Sequence, residues 1–177
     1  MTLSIFDFDH TLYLTPLPTD INRGILSARM GYNGKGWWSR PEALNSNLFD
    51  ISPNPWTLSR YNYHSEKGHY KVLMTGRIQK LKDEVDKVIN QDGFTFHEYF
   101  LADNRRTLDF KGDSIYELVD KLNPTTIYFY DDREEHIPIF REIGDDLEDN
   151  QGIDFRLFHV TKGMGTEIEY GKYKLNK

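Results

Sequence analysis

Leu3-Ser4-Ile5-Phe6-Asp7-Phe8-Asp9-His10-Thr11-Leu12-Tyr13 is the stretch whose reading decides the fold. Apolar residues run up to Asp7, as in a strand covered on both faces of a parallel sheet. Two carboxylates then stand two positions apart where the strand should end. Alternation sends both side chains to one face, where their repulsion is costly unless a cation neutralises it. A pair of hard oxygen donors suits Mg²⁺, which takes a few carboxylates and keeps its waters. Thr11 adds a hydroxyl. The stretch reads either as a metal-assisted phosphoryl-transfer site at a strand end or as an Asp-rich turn after a hydrophobic strand.

Working outward, 177 residues are enough for one domain with a real core. Hydrophobic residues at 38% and charged ones at 28% place the chain among globular proteins rather than disordered ones. The absence of Cys excludes a disulfide framework, a thiolate metal site and a Cys nucleophile. There is no apolar run of about 18 residues, so no membrane-spanning helix is expected. The N-terminus lacks the basic and apolar regions of a signal peptide, and a cytoplasmic protein is the expectation. A net charge of −6 supplies no global field that would draw the chain to nucleic acid, although a local basic surface remains open.

Beyond Thr11 the regular pattern lapses. Residues 14–69 hold Pro16, Pro18, Pro41, Pro53, Pro55 and all three Trp, and their Arg and Lys outnumber their acids. A structureless loop of that length is rare in a compact domain, so the segment is expected to be an inserted cap or substrate-facing lobe, with short helices near 21–30 and 41–48. Strands are expected over 70–74, around 99–101, over 126–130 and over 155–160. Amphipathic helices are expected over 78–90, 111–122 and 134–143, and a loosely packed tail over 162–177. Strands alternating with helices predict an α/β fold, Rossmann-like, with a mostly parallel sheet flanked by helices and a lobe inserted after the first strand, all in one domain over 1–177. Sites in such sheets lie beyond the carboxyl ends of the strands. Asp7 and Asp9, Thr75-Gly76-Arg77, and Asp131-Asp132 each follow a strand end, so all three should meet in one crevice.

In that order and context, Asp7-x-Asp9-x-Thr11, Thr75-Gly76-Arg77, Lys111 and Asp131-Asp132 resemble the four-motif signature of the haloacid dehalogenase superfamily, in its Mg²⁺-dependent phosphatase branch. The inserted segment narrows the likeness. Thr15-Pro16-Leu17-Pro18, Gly34-Lys35-Gly36-Trp37-Trp38 with Pro41, and Thr107-Leu108-Asp109-Phe110-Lys111 are similar to the Swiss Army Knife RNA repair-like family of that superfamily.

The resemblance implies a phosphoric monoester hydrolase. Asp7 is expected to attack phosphorus and form an aspartyl-phosphate. Asp9 is expected to protonate the leaving group and later deprotonate water. Asp7, Asp9, Asp132 and Asp131 are the expected Mg²⁺ site, with the strand-end alignment favouring Asp132 as direct ligand and its neighbour orienting a water or Lys111. Thr75 and Lys111 join the catalytic set, with Thr11 and Gly76 near the phosphate. Several readings stay open. Thr75 and Gly76 also fit a capped strand-to-helix turn. Arg77 fits either a substrate contact or an ion pair, and Arg133 favours the ion pair. Trp37 and Trp38 fit either a stacking platform for a base or the core of the lobe. No His shows ligand spacing. The substrate class left by the family likeness is a phosphorylated RNA or DNA end. A small molecule or nucleotide is the alternative, and a non-catalytic phosphate-sensing module with the same fold is a third.

Overall fold

The computed structural model describes residues 1–161 and 163–172. In chain order its elements are β1 (Thr2–Phe6), β2 (Tyr13–Leu14), α1 (Asp20–Met30), β3 (Ser52–Pro53), α2 (Pro55–Glu66), β4 (Tyr70–Ile78), α3 (Lys82–Gln91), β5 (Glu98–Ala102), α4 (Thr107–Leu122), β6 (Thr126–Asp131), α5 (Ile137–Gln151), β7 (Asp154–Thr161) and β8 (Met164–Ile168). Short 3₁₀ turns cover Trp37–Ser39, Pro41–Leu44 and Gln79–Leu81. The main sheet runs β5-β4-β1-β6-β7-β8, with parallel pairing throughout except for the antiparallel β7–β8 edge. This is the α/β, Rossmann-like arrangement expected.

β1 is central because its residues 3–6 are apolar or small and buried on both faces. One face carries Leu3, Ile5, Val72, Met74, Ile127 and Phe129 against α4 and α5; the other carries Phe6, Leu73 and Tyr130 against α2 and α3. Helix ends follow local chemistry. The Asn54 side chain accepts the Trp56 N–H with Pro55 in the first turn of α2, so the orphan donors of that end are partly met. Asn123 ends α4 in the left-handed region, just ahead of Pro124. Pro138 sits in the first turn of α5, where its missing N–H costs nothing. That explains why the helix starts at Ile137 and runs to Gln151 rather than covering 134–143.

Two further expectations change. The lobe is shorter than 14–69, because α2 packs Trp56 against Tyr130 and Phe158 and Tyr61 against Phe6, as part of the sheet's own core. The lobe proper leaves and rejoins the sheet domain through the β2–β3 stem, where Tyr13 pairs with Pro53 and Leu14 with Ser52. It has a small core of Leu26, Tyr32, Trp37, Ala43 and Phe49. The tail is not all loose either. β8 pairs along β7 and buries Ile168, and a Cβ at Gly165 would lie 2.1 Å from the Trp56 ring. Residues 162 and 173–177 of the expected tail lie outside the described residues.

Candidate active site

The crevice forms at the carboxyl ends of β4, β1 and β6. Asp7 extends the β1 ladder, donating its N–H to the Tyr130 carbonyl at 3.0 Å. Directly after it the chain turns sharply. Leu12 N–H reaches the Asp7 and Phe8 carbonyls, and His10 takes the left-handed conformation at φ 56°. Asp131 closes β6 and Asp132 follows it. α4 begins at Thr107, so Lys111 lies one turn inside the helix rather than at its start. Thr107 and Lys111, four apart, then share a face, and both line the cavity.

At the floor, the buried Lys111 Nζ sits 2.8 Å from Asp7 Oδ1 and 2.6 Å from Asp131 Oδ2. Asp131 Oδ1 accepts the Arg133 N–H at 3.0 Å, so both oxygens of Asp131 are committed. Asp7, Asp131 and Asp132 bring carboxylate oxygens within 4.8 Å of one another. Burial, and then Asp131 and Asp9, push the Asp7 carboxyl up to about 6 against the pull of Lys111. Burial, followed by Asp7 and Asp131, pushes Asp132 up to about 9. Burial works against the Lys111 charge, but Asp131 and Asp7 outweigh it and raise its pKa. Three carboxylates thus crowd around one ammonium, a surplus of negative charge that a divalent cation with hard oxygen preference fits.

Asp9 is placed differently. Arg77 Nε donates to its Oδ2 at 2.9 Å and Nη2 to Oδ1 at 2.8 Å, while Thr15 Oγ1 donates to Oδ1 at 2.7 Å. Burial raises the Asp9 pKa, but the Arg77 charge and hydrogen bonds overcome this and the balance is a lowered value. The Asp9 side chain therefore stands outside the carboxylate cluster, contrary to its expected place among the metal ligands. Its oxygens are taken by a guanidinium.

The Thr75-Gly76-Arg77 stretch is neither a strand end nor a helix turn. β4 continues to Ile78 through a register shift in which Thr75 faces Leu101 and Ile78 faces Ala102. Such bulges re-aim side chains beside sites. Here Gly76 and Arg77 are turned into the cavity. A Cβ at Gly76 would meet the Thr107 side chain at 2.9 Å, so only glycine allows that approach. Thr75 is fully buried, and its Oγ1 accepts the Arg77 N–H at 3.1 Å, fixing the bulge. Thr11 is also fully buried and is not among the residues that line the cavity.

The cavity is about 160 Å³ and is walled by Asp7, Asp9, Gly76, Arg77, Lys111 and Asp132, with His10, Leu17, Trp38, Thr107 and Arg133 around them. A roomier groove of about 400 Å³ between residues 41–47 and α3 has no comparable cluster of charge and is not the candidate. The two tryptophans separate. Trp37 is 3% exposed, sits in the lobe core and donates Nε1–H to the Pro16 carbonyl, the surroundings of the lobe-core alternative. Trp38 lies over Arg77, whose guanidinium carbon is 4.9 Å from the ring, while Arg77 Nη1 donates to the Trp38 carbonyl at 2.9 Å. Arg77 is thus an ion-pair partner that also faces the cavity. Arg133 makes no ion pair among the described residues and lines the cavity instead.

Sequence reasoning gave no site role to Thr15 and Leu17, which stood only in the family-like stretch 15–18, or to His10, whose place at the cavity depends on the turn after Asp9. It also missed His159, whose Nε2 lies 3.1 Å from the Asp132 carbonyl. The other paired histidines have structural surroundings: buried His64 bonds His69 at 2.7 Å and the Tyr130 hydroxyl at 2.8 Å.

Strand-end carboxylates gathered around a buried lysine, in a parallel sheet with a lobe after the first strand, define a haloacid dehalogenase-type domain. The chain matches HAD domain family 1 in Swiss Army Knife RNA repair proteins over residues 17–169, and it belongs to that family. The match begins after Asp7 and Asp9, and the Lys111 contact ties the matched part to Asp7. No curated protein and no solved structure matches the chain significantly. Among the described residues no helix is long and apolar enough to cross a membrane.

Proposed function

We propose that this protein is a Mg²⁺-dependent phosphomonoesterase that works through an aspartyl-phosphate on Asp7 and acts, in the cytoplasm, on terminal phosphates of nucleic acid, RNA above all. The observation that carries the reading is the buried Lys111 shared by Asp7 and Asp131, with the Asp132 carboxylate beside them and no cation of its own. Asp7 and Asp132 would hold Mg²⁺, with Asp131 as the residue that orients Lys111. When bound, the ion supplies charge neutralisation between an anionic nucleophile and an anionic substrate.

An Asp7 oxygen attacks phosphorus, and the bond from phosphorus to the leaving oxygen breaks. The leaving oxygen takes a proton from Asp9. Water then attacks the phosphorus of the acyl phosphate and gives its proton to Asp9, which frees Asp7 and releases phosphate. Proton transfer by a positioned carboxyl is worth about 10²–10⁴-fold. Lys111 keeps the floor of the cavity cationic as charge develops, and Arg133 offers a further unpaired cation for phosphate oxygens. Arg77 favours the ionised form of Asp9, so the base role is the one the resting geometry favours. Donation in the first step requires Arg77 to loosen its hold.

The family membership favours nucleic-acid ends. The small cavity and the net charge of −6 favour a second reading, a phosphatase of nucleotides or other small molecules. A phosphate-release screen across 3′-phosphorylated RNA and DNA oligonucleotides, nucleotides and an aryl phosphate tests both. Release should need Mg²⁺ and stop with EDTA. Asp7→Asn should form no trappable phosphoenzyme, while Asp9→Asn should still form one from an aryl phosphate with a good leaving group. Full turnover after thorough EDTA treatment, or wild-type turnover by Asp7→Asn, would sink the proposal.

A further inference from the structure

The Trp37–Ser39 turn has a different cavity on each side. Trp38 lines the active-site cavity, whereas Gly36 and Ser39 line a wide, open shelf of about 510 Å³. The shelf carries Lys35, Arg40 and Lys80 against one carboxylate, Glu42. Lys35 and Arg40 come from the lobe. Lys80 comes from the sheet domain, three residues after Arg77 in the 3₁₀ turn that follows β4. Residues far apart in the chain therefore bring like charge to one concavity beside the site.

Solvent and salt screen such exposed charges from one another, but the cluster is unlike the rest of the surface, where this protein pairs many of its other cations. Lys82 pairs with Asp86, Arg105 with Asp103, Lys121 with Glu98 and Arg156 with Asp154. Lys35, Arg40 and Lys80 have no such partner among the described residues. The Arg40 guanidinium lies 5.4 Å from the Tyr32 ring, a contact that orients the group and leaves its charge available. The active-site cavity of about 160 Å³ takes a phosphate and little more, so the rest of a substrate has to lie outside it, and Trp38 on its wall is followed directly by Ser39 and Arg40 on the shelf.

We infer that the shelf holds internal phosphates of a nucleic-acid strand whose terminal phosphate occupies the Asp7 cavity. This rests on the phosphatase reading above and deepens it. The substrate is then a chain with at least one phosphate beyond the scissile one, and a mononucleotide has nothing to place on the shelf. An unpaired guanidinium and two lysines suit a flexible phosphodiester, which they bind as point charges without reading sequence.

The test compares a 3′-phosphorylated oligoribonucleotide with a nucleoside 3′-monophosphate at several salt concentrations, using wild type, Lys35→Gln, Lys80→Gln, Arg40→Gln, the triple variant and Arg40→Lys. The readout is the ratio of kcat/KM between the two substrates. In the triple variant the ratio should fall about tenfold or more, and the log–log salt slope for the oligonucleotide should flatten by about 0.7 for each phosphate no longer neutralised. Arg40→Lys keeps the charge and should keep the ratio. An unchanged ratio and slope in the triple variant overturn the inference while leaving the phosphatase reading intact. So does a wild type that hydrolyses the mononucleotide as well as the oligonucleotide. Release of phosphate from no substrate at all overturns the phosphatase reading, and the inference falls with it.

Discussion

A carboxylate gripped along both oxygens by a guanidinium holds its charge firmly, and Arg77 grips Asp9 in that way. Without the guanidinium, burial is the dominant influence left on Asp9, and it favours the protonated form. Arg77→Met should therefore move the Asp9 titration upward, and NMR of the Asp9 side-chain carboxyl checks this. An unmoved midpoint would show that Arg77 does not govern the group. Asp7 and Asp9 were legible in the sequence because a strand end and its carboxylates are consecutive. For Arg77 an ion pair was one of two open readings, but its partner was not legible, since nothing local links two residues 68 positions apart. The same holds for Thr11 and Thr75: their motif positions are plain in the sequence, but only the turn and the bulge decide which hydroxyls end up inside the protein.

Helices and strands repeat this division between local signal and long-range outcome. β1, β4 and β6 were legible because buried parallel strands are apolar runs. α2 was not, because its inward face carries Thr57, Tyr61 and His64, which blur a helical stripe. β8 was hidden because most of its residues are not buried and its pairing is with β7. Within the lobe, adjacent tryptophans should fail differently. Trp37→Ala removes a core ring and a hydrogen bond and should cost about 3–5 kcal/mol of lobe stability, seen as early melting. Trp38→Ala removes the aromatic cover of Arg77, worth about 0.5–2 kcal/mol, and an edge contact with His10, but it takes away only a partly buried ring at the margin of the lobe core. It should melt near wild type and show its effect in phosphate release. At the sheet edge, Gly165→Ala drives a methyl group into Trp56 and should destabilise by about 1–3 kcal/mol, measured by denaturant unfolding.

Taken over the whole molecule, the carboxylate cluster makes stability depend on pH and metal together. Asp7 and Asp132 are raised to about 6 and about 9 in the fold, while an unfolded aspartate titrates near about 3.9. Between those values the folded chain holds protons that the unfolded chain has released, so stability falls as pH rises through this window. The metal-free protein should have a lower Tm at about pH 8 than at about pH 5, and Mg²⁺ should raise Tm at the higher pH far more than at the lower. Asp132→Asn should flatten both trends. His10, His64, His69 and His136, whose burial lowers their pKa values, pull the other way over part of this window, so the decisive comparison is with the variant. The same pH trend in wild type and Asp132→Asn would contradict the burial and crowding of Asp132.

The β2–β3 stem has a consequence for how such an enzyme changes its client. Leu14 and Ser52 are paired neighbours, so everything between them leaves and returns at one point. A two-residue turn of the kind that joins antiparallel strands would close that gap without moving β1, β4 or β6. The lobe can then be treated as a cassette: exchanged for a longer or shorter loop, it would alter which molecule is admitted while Asp7, Asp131 and Lys111 beneath stay in register, provided the graft keeps Thr15 on Asp9 and a cover over Arg77. Retargeting would be a matter of grafting at residues 14 and 52.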